Sequence, residues 1–515
     1  GSGVGSAEPE RRSLRPPKFG ADGYLSYVLA MPIQPLLDAA AADAALADIK
    51  PPLSAQEARV EAGRCLFCFD APCIMACPTG IDIPTFIKKI ATDNLTGAAR
   101  TILEANILGA SCARVCPTQM LCEGACVMLD LEKDPIQIGR LQRHATDHVI
   151  DRGIDVLPPP AAHSGRTVAV LGAGPAGLGC AAELARLGYA VTVYDKRPAG
   201  GGLNTYGIAY YKMRPEVSLA EVRMVERLGV AFRYDCEVGR DVQPAELLAA
   251  HDAVFLGLGL GVATRLGIPG EDLPEVLDAL EFIEWIHTRP LHEVPVGRRV
   301  AVLGCGNTAI DAVTQARRLG AEVATVVYRR GEADMSAYAF EYDLAKTDGA
   351  TFLFHTVPVA VLERQGHVTG LRLARTEIRD GRVVPLPGTE WDEPFDLILK
   401  AVGQEKQAGL LARLFPGLAL DDRGRVRHDP VTMRTNLPQV FVGGDCANGG
   451  REVVNAVAEG KKAARGIHAT LAGEPVVGPV QPSRHGVSDG PIGSGFDAPL
   501  RVHELEAALG VRLTP

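Results

Sequence analysis

Two stretches of the chain share one form: RTVAVLGAGPAG at residues 166–177 and RRVAVLGCGNTA at 298–309. Each is an apolar run that reads as a buried strand, followed by a glycine loop and a helix-forming segment. The first glycine of such a loop permits the tight turn. The second lets the backbone approach a pyrophosphate, and the third lets helix and strand pack closely. The helix start then presents free N–H groups to the anion. Gly172, Gly174 and Gly177 supply the first loop; Gly304, Gly306 and Ala309 supply the second. One such loop alone is weak, because a tight structural turn also needs glycine. Here the context is complete twice. LGCAAELARLG and AVTVYDK follow the first loop as helix and strand, and IDAVTQARRLG and VATVVYRR follow the second. The chain is therefore expected to hold two βαβ dinucleotide-binding units.

The strand ends differ between the two units. Asp195 ends the second strand of the first unit, where an acid can hydrogen-bond a ribose. The second unit has Arg329 and Arg330 at that place, a pair that suits a 2′-phosphate and hence NADPH rather than NADH. The alternative is a pair of surface arginines. Two dinucleotide sites in one chain imply a flavin and a nicotinamide, one reducing the other.

Eight of the 12 cysteines lie between 65 and 126: Cys65, Cys68, Cys73, Cys77, Cys112, Cys116, Cys122 and Cys126. The other four stand apart in apolar surroundings and read as buried small hydrophobes. Three chemistries compete for the cluster. Disulfides need an oxidising compartment. The N-terminus lacks the apolar core of a secretion signal, and AVFLGLGLGVA (253–263) is too short for a membrane span. The expected compartment is the cytoplasm, with no membrane partner. Structural zinc usually pairs one C-x2-C with another. CLFCFDAPCIMACP, followed by Cys112-x3-Cys116-Pro and two more cysteines, resembles iron–sulfur ligation, in which one run can serve two clusters. An adjoining flavin explains such clusters, since hydride brings two electrons and clusters carry one at a time. A net charge of −9 argues against nucleic acid as a partner. None of the 12 histidines sits in a metal or triad pattern, and no catalytic acid–base pair can be nominated.

Along the chain, a Pro- and charge-rich arm passes into an Ala-rich helix at roughly 35–48, and residues 54–150 carry helical signals without strand alternation. VLPPPAAHSG (156–165) reads as a linker. Residues 395–403 and 440–445 add buried-strand runs. The tail from about 474 is Gly-, Pro- and Ser-rich and closes on a short helical stretch at 500–510.

VAVLGAGPAG, DAVFLGLG, FDLILKAVG and TNLPQVFVGGD resemble the motifs of flavoprotein reductases with two dinucleotide-binding domains. The resemblance implies that Asp445 holds the flavin ribityl chain. It also implies that the helix in EVVNAVAEGKKAA points its N-terminus at the flavin pyrimidine ring. Beside the residues above, the expected cofactor contacts are Ala176, Lys196, Gly202, Leu203, Asn307, Thr308, Gly444, Val453 and Val454.

Residues 54–150 resemble the iron–sulfur domain shared by dihydropyrimidine dehydrogenase and the glutamate synthase small subunit. Five residues separate Cys116 from Cys122, which favours the first. The resemblance implies one [4Fe–4S] cluster on Cys65, Cys68, Cys73 and Cys126. A second would lie on Cys77, Cys116, Cys122 and Gln142, with Cys112 not a ligand. Counting cysteines alone would instead give four to each.

The implied fold is multidomain. A helical iron–sulfur domain (1–157) precedes an FAD domain in two pieces (165–288 and 396–472), with an NAD(P) domain (289–395) inserted and a tail (473–515) behind. The implied role is an electron-input subunit. NADPH (or NADH) would reduce FAD, and two clusters would pass electrons to an FMN-containing partner in a hetero-oligomer that reduces pyrimidines. A glutamate synthase small subunit is the alternative, and a docking protein without turnover a third. The segment GIAYYKMRP (207–215) departs from the family pattern, GIPxFRLP.

Overall fold

Short helices build the first part of the described chain, several of them begun by a polar cap. In the computed structural model, which describes residues 33–379 and 381–473, Ser54 and Glu57 form a reciprocal capping box at helix Ala55–Gly63. Asp82 caps Ile83–Ala91 and Asn94 caps Leu95–Ala105 through their side-chain oxygens. The buried stripes Phe86, Ile87, Ile90 and Ala98, Ala99, Ile102, Leu103 follow helical spacing. Helix Ile138–Ile150 turns Leu141, Gln142, Ala145, Thr146 and Val149 inward.

Fourteen strands are found among the described residues. In chain order they begin with β1 (Thr167–Leu171), β2 (Ala190–Tyr194), β3 (Ala231–Arg233), β4 (Ala253–Leu256) and β5 (Val276–Asp278). Then come β6 (Arg299–Leu303), β7 (Val323–Val327), β8 (Thr351–Leu353), β9 (Thr356–Arg364) and β10 (His367–Arg379). The last are β11 (Arg382–Pro385), β12 (Trp391–Glu393), β13 (Leu397–Lys400) and β14 (Val440–Val442). One parallel sheet has the order β14-β4-β1-β2-β3 and a second has β5-β13-β6-β7-β8. Both glycine loops thus leave the C-terminal ends of central strands, where helices begin and ligands bind in open α/β sheets. β9 to β12 form an antiparallel group inserted between β8 and β13, which the sequence reading did not foresee.

Two expected boundaries are corrected. β5 and β13 pair into the second sheet, at Ile398 with Val276 and Ala301. The inserted domain therefore extends past 289–395 at both ends. These strands carry only three and four residues, and nothing local states which sheet they join. Residues 33–49 were expected in the helical domain. Instead Ile33, Ala42 and Leu46 are buried in the core of the second dinucleotide unit, with Phe282, Trp285 and Val296. The helix there is shorter than expected, Ala39–Ala45. The arm before residue 33, the tail after 473 and its helical stretch lie outside the described residues.

The departing segment 207–215 leaves the first dinucleotide unit and enters the second one. Ala209 and Tyr211 are fully buried in that core, and Tyr210 N donates to Gln315 Oε1 at 2.9 Å. Lys212 Nζ pairs with Asp311 at 2.6 Å and Glu341 at 2.5 Å.

Candidate functional site

Both glycine loops open on one cavity of about 1670 Å³, large enough for two dinucleotides. Gly172 has φ +100°, and a Cβ there would fall 2.4 Å from Gly257 O; Gly304 repeats this with φ +117° and 2.3 Å to Ala401 O. Only glycine fits either turn. A Cβ at Gly174 would meet no heavy atom closer than 3.9 Å, so this backbone faces open space that a pyrophosphate can approach. Gly177 sits under Gly172 O and packs strand on helix, away from the cavity wall.

Ala176, Asp195, Lys196, Gly202, Leu203, Gly304, Gly306, Asn307, Thr308, Arg329, Gly444, Asp445 and Val453 line the cavity. Three expected contacts do not, Gly177 among them. Arg330 is exposed and away from the wall, and Val454 points into the core. Neighbours on a strand end or a helix start face different ways, so the two arginines, like the two valines, cannot both reach one site.

Asp195 already serves the loops. Its Oδ2 accepts from Ala173 N at 2.7 Å and its Oδ1 from Arg197 N at 2.8 Å. A carboxylate has about four acceptor positions, so ribose hydroxyls can still be taken. Burial holds the Asp195 and Asp445 carboxyls above their ordinary range. No side chain caps helix Val453–Ala472, which leaves first-turn N–H groups for another partner. The sequence reading missed Arg197, Tyr206 and Glu284, a linked group on the wall. Arg197 bonds Glu284 and lies 4.9 Å over the Tyr206 ring. It also missed Lys406, whose Nζ donates to Gly449 O at 2.6 Å. No motif marks these residues, because the tertiary fold assembles them from separate helices and loops.

The eight clustered cysteines come together in two groups. Cys65, Cys68, Cys73 and Cys126 line one small cavity walled by Ile83, Ile87 and Ile136. Burial first, and then the neighbouring sulfurs, push the Cys65 thiol up to about 11 and that of Cys73 up to about 12. Four thiolates can share such a place only with cations among them. Among the described residues no three Cys, His, Asp or Glu converge tightly enough for one metal ion.

Cys77, Cys116 and Cys122 form the second group with Cys112. Hydrogen bonding to Cys112, then burial, raises the Cys116 thiol; burial raises that of Cys122. Cys112 is 3% exposed, and its sulfur accepts from Asn106 Nδ2 at 3.2 Å. Gln142 is buried on the facing helix, and its Nε2 donates to Gly109 O at 2.7 Å. The amide oxygen, the atom a metal would take, is the end left over. Cys112 therefore stands at this group, and Gln142 lies on the neighbouring helix, bonded to Gly109 O.

Comparison with known proteins agrees with this division. Residues 42–154 match the family of dihydropyrimidine dehydrogenase domain II, 4Fe-4S cluster, and residues 166–460 match the pyridine nucleotide-disulphide oxidoreductases. The chain is 35% identical to the glutamate synthase [NADPH] small chain of Escherichia coli K12, covering 82% of this chain and 93% of that one. It is 34% identical to the NAD-dependent dihydropyrimidine dehydrogenase subunit PreT of the same organism, covering 83% and 98%. It is also 38% identical to AegA, an E. coli K12 protein described as an oxidoreductase, over 82% of this chain but 66% of AegA. No helix among the described residues is long and apolar enough to cross a membrane. The chain belongs to the pyridine nucleotide-disulphide oxidoreductase family, as an NAD(P)H-dependent FAD enzyme preceded by a 4Fe-4S domain of the dihydropyrimidine dehydrogenase type.

Proposed function

We propose that this chain is the electron-input subunit of a cytoplasmic dihydropyrimidine dehydrogenase. Its partner would be an FMN-containing subunit that reduces uracil or thymine to the 5,6-dihydropyrimidine. The observation that carries the reading is the cysteine domain, with five residues between Cys116 and Cys122 and a match to dihydropyrimidine dehydrogenase domain II. When bound, FAD takes up a hydride and releases its electrons singly, the conversion that joins a nicotinamide to iron–sulfur clusters. The chain's own residues hold and orient. Gly172, Gly174 and Asp195 cradle one dinucleotide, with Asp445 at its far end. Gly304, Gly306 and Asn307 cradle the other. Cys65, Cys68, Cys73 and Cys126 ligate one cluster. Cys77, Cys116, Cys122 and Gln142 ligate the second. Purified alone, the chain should reduce an artificial acceptor with NAD(P)H and leave uracil untouched; uracil turnover without a partner would sink this division of labour.

A second reading, the glutamate synthase small subunit, is favoured by 35% identity over nearly the whole of that chain. Co-purification from the native host separates the two. A partner with an FMN barrel supports the first reading, and a glutamine-hydrolysing one supports the second.

A further inference from the structure

The cavity wall is made by two units that must keep a fixed gap, and polar contacts cross between them close to it, Arg197 with Glu284 among them. Another does so at the starts of two helices. Tyr338 Oη donates to Glu452 Oε1 at 2.5 Å. Glu452 is the N-cap residue of helix Val453–Ala472, whose first residue lines the flavin side of the cavity. Tyr338 is the N-cap residue of helix Ala339–Thr347 in the other unit. Its backbone N–H donates to Asn307 Oδ1 at 3.1 Å, and Asn307 starts the helix above the second glycine loop. Asn307 and Val453 thus face one cavity from opposite units, and Tyr338 ties one to the other. Helix Ala339–Thr347 is held a second time, through Glu341, by Lys212 of the crossing segment 207–215. Both partners are partly buried, and neither lines the cavity.

We propose that Tyr338 and Glu452 are a positioning pair that sets the distance between the nicotinamide and flavin sites. The proposal rests on the cavity as the NAD(P)H and FAD site and is independent of which partner receives the electrons. Hydride passage is steep in distance, and a misplacement of about 1 Å can cost about a hundredfold in rate. Nucleotide binding depends on the glycine loops instead, so rate and affinity should separate.

The test uses the flavin- and cluster-loaded full chain under anaerobic conditions. Tyr338→Phe removes one hydroxyl and nothing else. Its flavin should be bleached by NADPH roughly tenfold or more slowly than in the parent, with the Kd for NADP+ within about twofold. Amide hydrogen exchange should quicken over 307–311 and 453–457, a readout that needs no turnover. Glu452→Ala should behave in the same way, and it keeps the test alive if Tyr338→Phe folds poorly. Glu452→Gln retains an acceptor oxygen and should restore at least half the parental rate. Bleaching of Tyr338→Phe at the parental rate would overturn the proposal. So would a loss of NADP+ affinity in step with rate, unchanged exchange at both helix starts, or a Glu452→Gln as slow as Glu452→Ala.

Discussion

At the scale of single residues, the second cysteine group presents a choice between sulfur and amide. Cys112 stands beside Cys116, yet its sulfur already takes an Asn106 amide proton. The Gln142 amide group is spent on Gly109 O, which leaves its oxygen for a metal. An amide ligand removes one negative charge from the cluster and so changes its potential. Cys112→Ser should therefore keep about eight irons and both EPR signals, while Gln142→Ala perturbs one signal only. Loss of a cluster in Cys112→Ser, with Gln142→Ala silent, would reverse the assignment. The coenzyme is another matter of single side chains. Arg329 lines the cavity and Arg330 does not. One guanidinium–phosphate contact is worth about 1.5–3 kcal/mol. Arg329→Ala should thus lower the NADPH over NADH ratio of kcat/KM about tenfold or more, and Arg330→Ala should leave it nearly unchanged. Equal effects of the two substitutions would show that the strand end does not read the phosphate.

Among elements, the contact between helices Pro175–Arg186 and Val453–Ala472 matters most, because each begins at a loop facing the flavin site. They touch backbone to backbone. A Cβ at Gly460 would fall 2.1 Å from Ala176 O, and one at Gly179 would fall 2.9 Å from Val457 O. No rotamer relieves a clash with main chain. Gly460→Ala must push the helices apart, at a cost of about 1–3 kcal/mol, and carry Asp445 and Val453 away from Gly174. The expected result is a lower thermal midpoint and a lower ratio of bound FAD to protein, read from the visible spectrum. Full FAD retention at an unchanged midpoint would show that the helices have slack. The sequence displays the strands and helices of both units clearly, since VAVL runs, glycine loops and Ala-rich helices state their own periodicity. It is silent about β9 to β12 and about the membership of β5 and β13, because strand pairing is settled between residues far apart in the chain.

In the whole molecule, Glu221 joins the cysteine domain to the flavin unit. It lies on helix Pro215–Arg227, is fully buried, and accepts from Ala110 N at 2.7 Å, Ser111 N at 3.0 Å and Ser111 Oγ. It thereby caps helix Gly109–Val115 from another domain. Burial outweighs these donors and raises its carboxyl from 4.5 to about 7. The folded value is above the unfolded one, so the stabilisation is complete below about pH 4.5. It is lost as pH rises towards 7, a change of roughly 3 kcal/mol. Glu221→Gln should abolish this slope, so that the variant gains on the parent between pH 5 and pH 8 in thermal midpoints of the loaded protein. A pH-independent difference between the two would mean that Glu221 titrates normally. By itself, the sequence determined the two glycine loops and the cysteine run, because a φ of +100° or more in a tight turn and a close-set run of sulfurs admit few residue types. Only the tertiary structure decided that Arg329 and not Arg330 lines the cavity, that Ile33, Ala42 and Leu46 pack into the core of the second unit, and that 207–213 bolts the two units together. Those outcomes depend on which surfaces meet, and a surface is made of residues that are distant in sequence and carry no local mark of their partners.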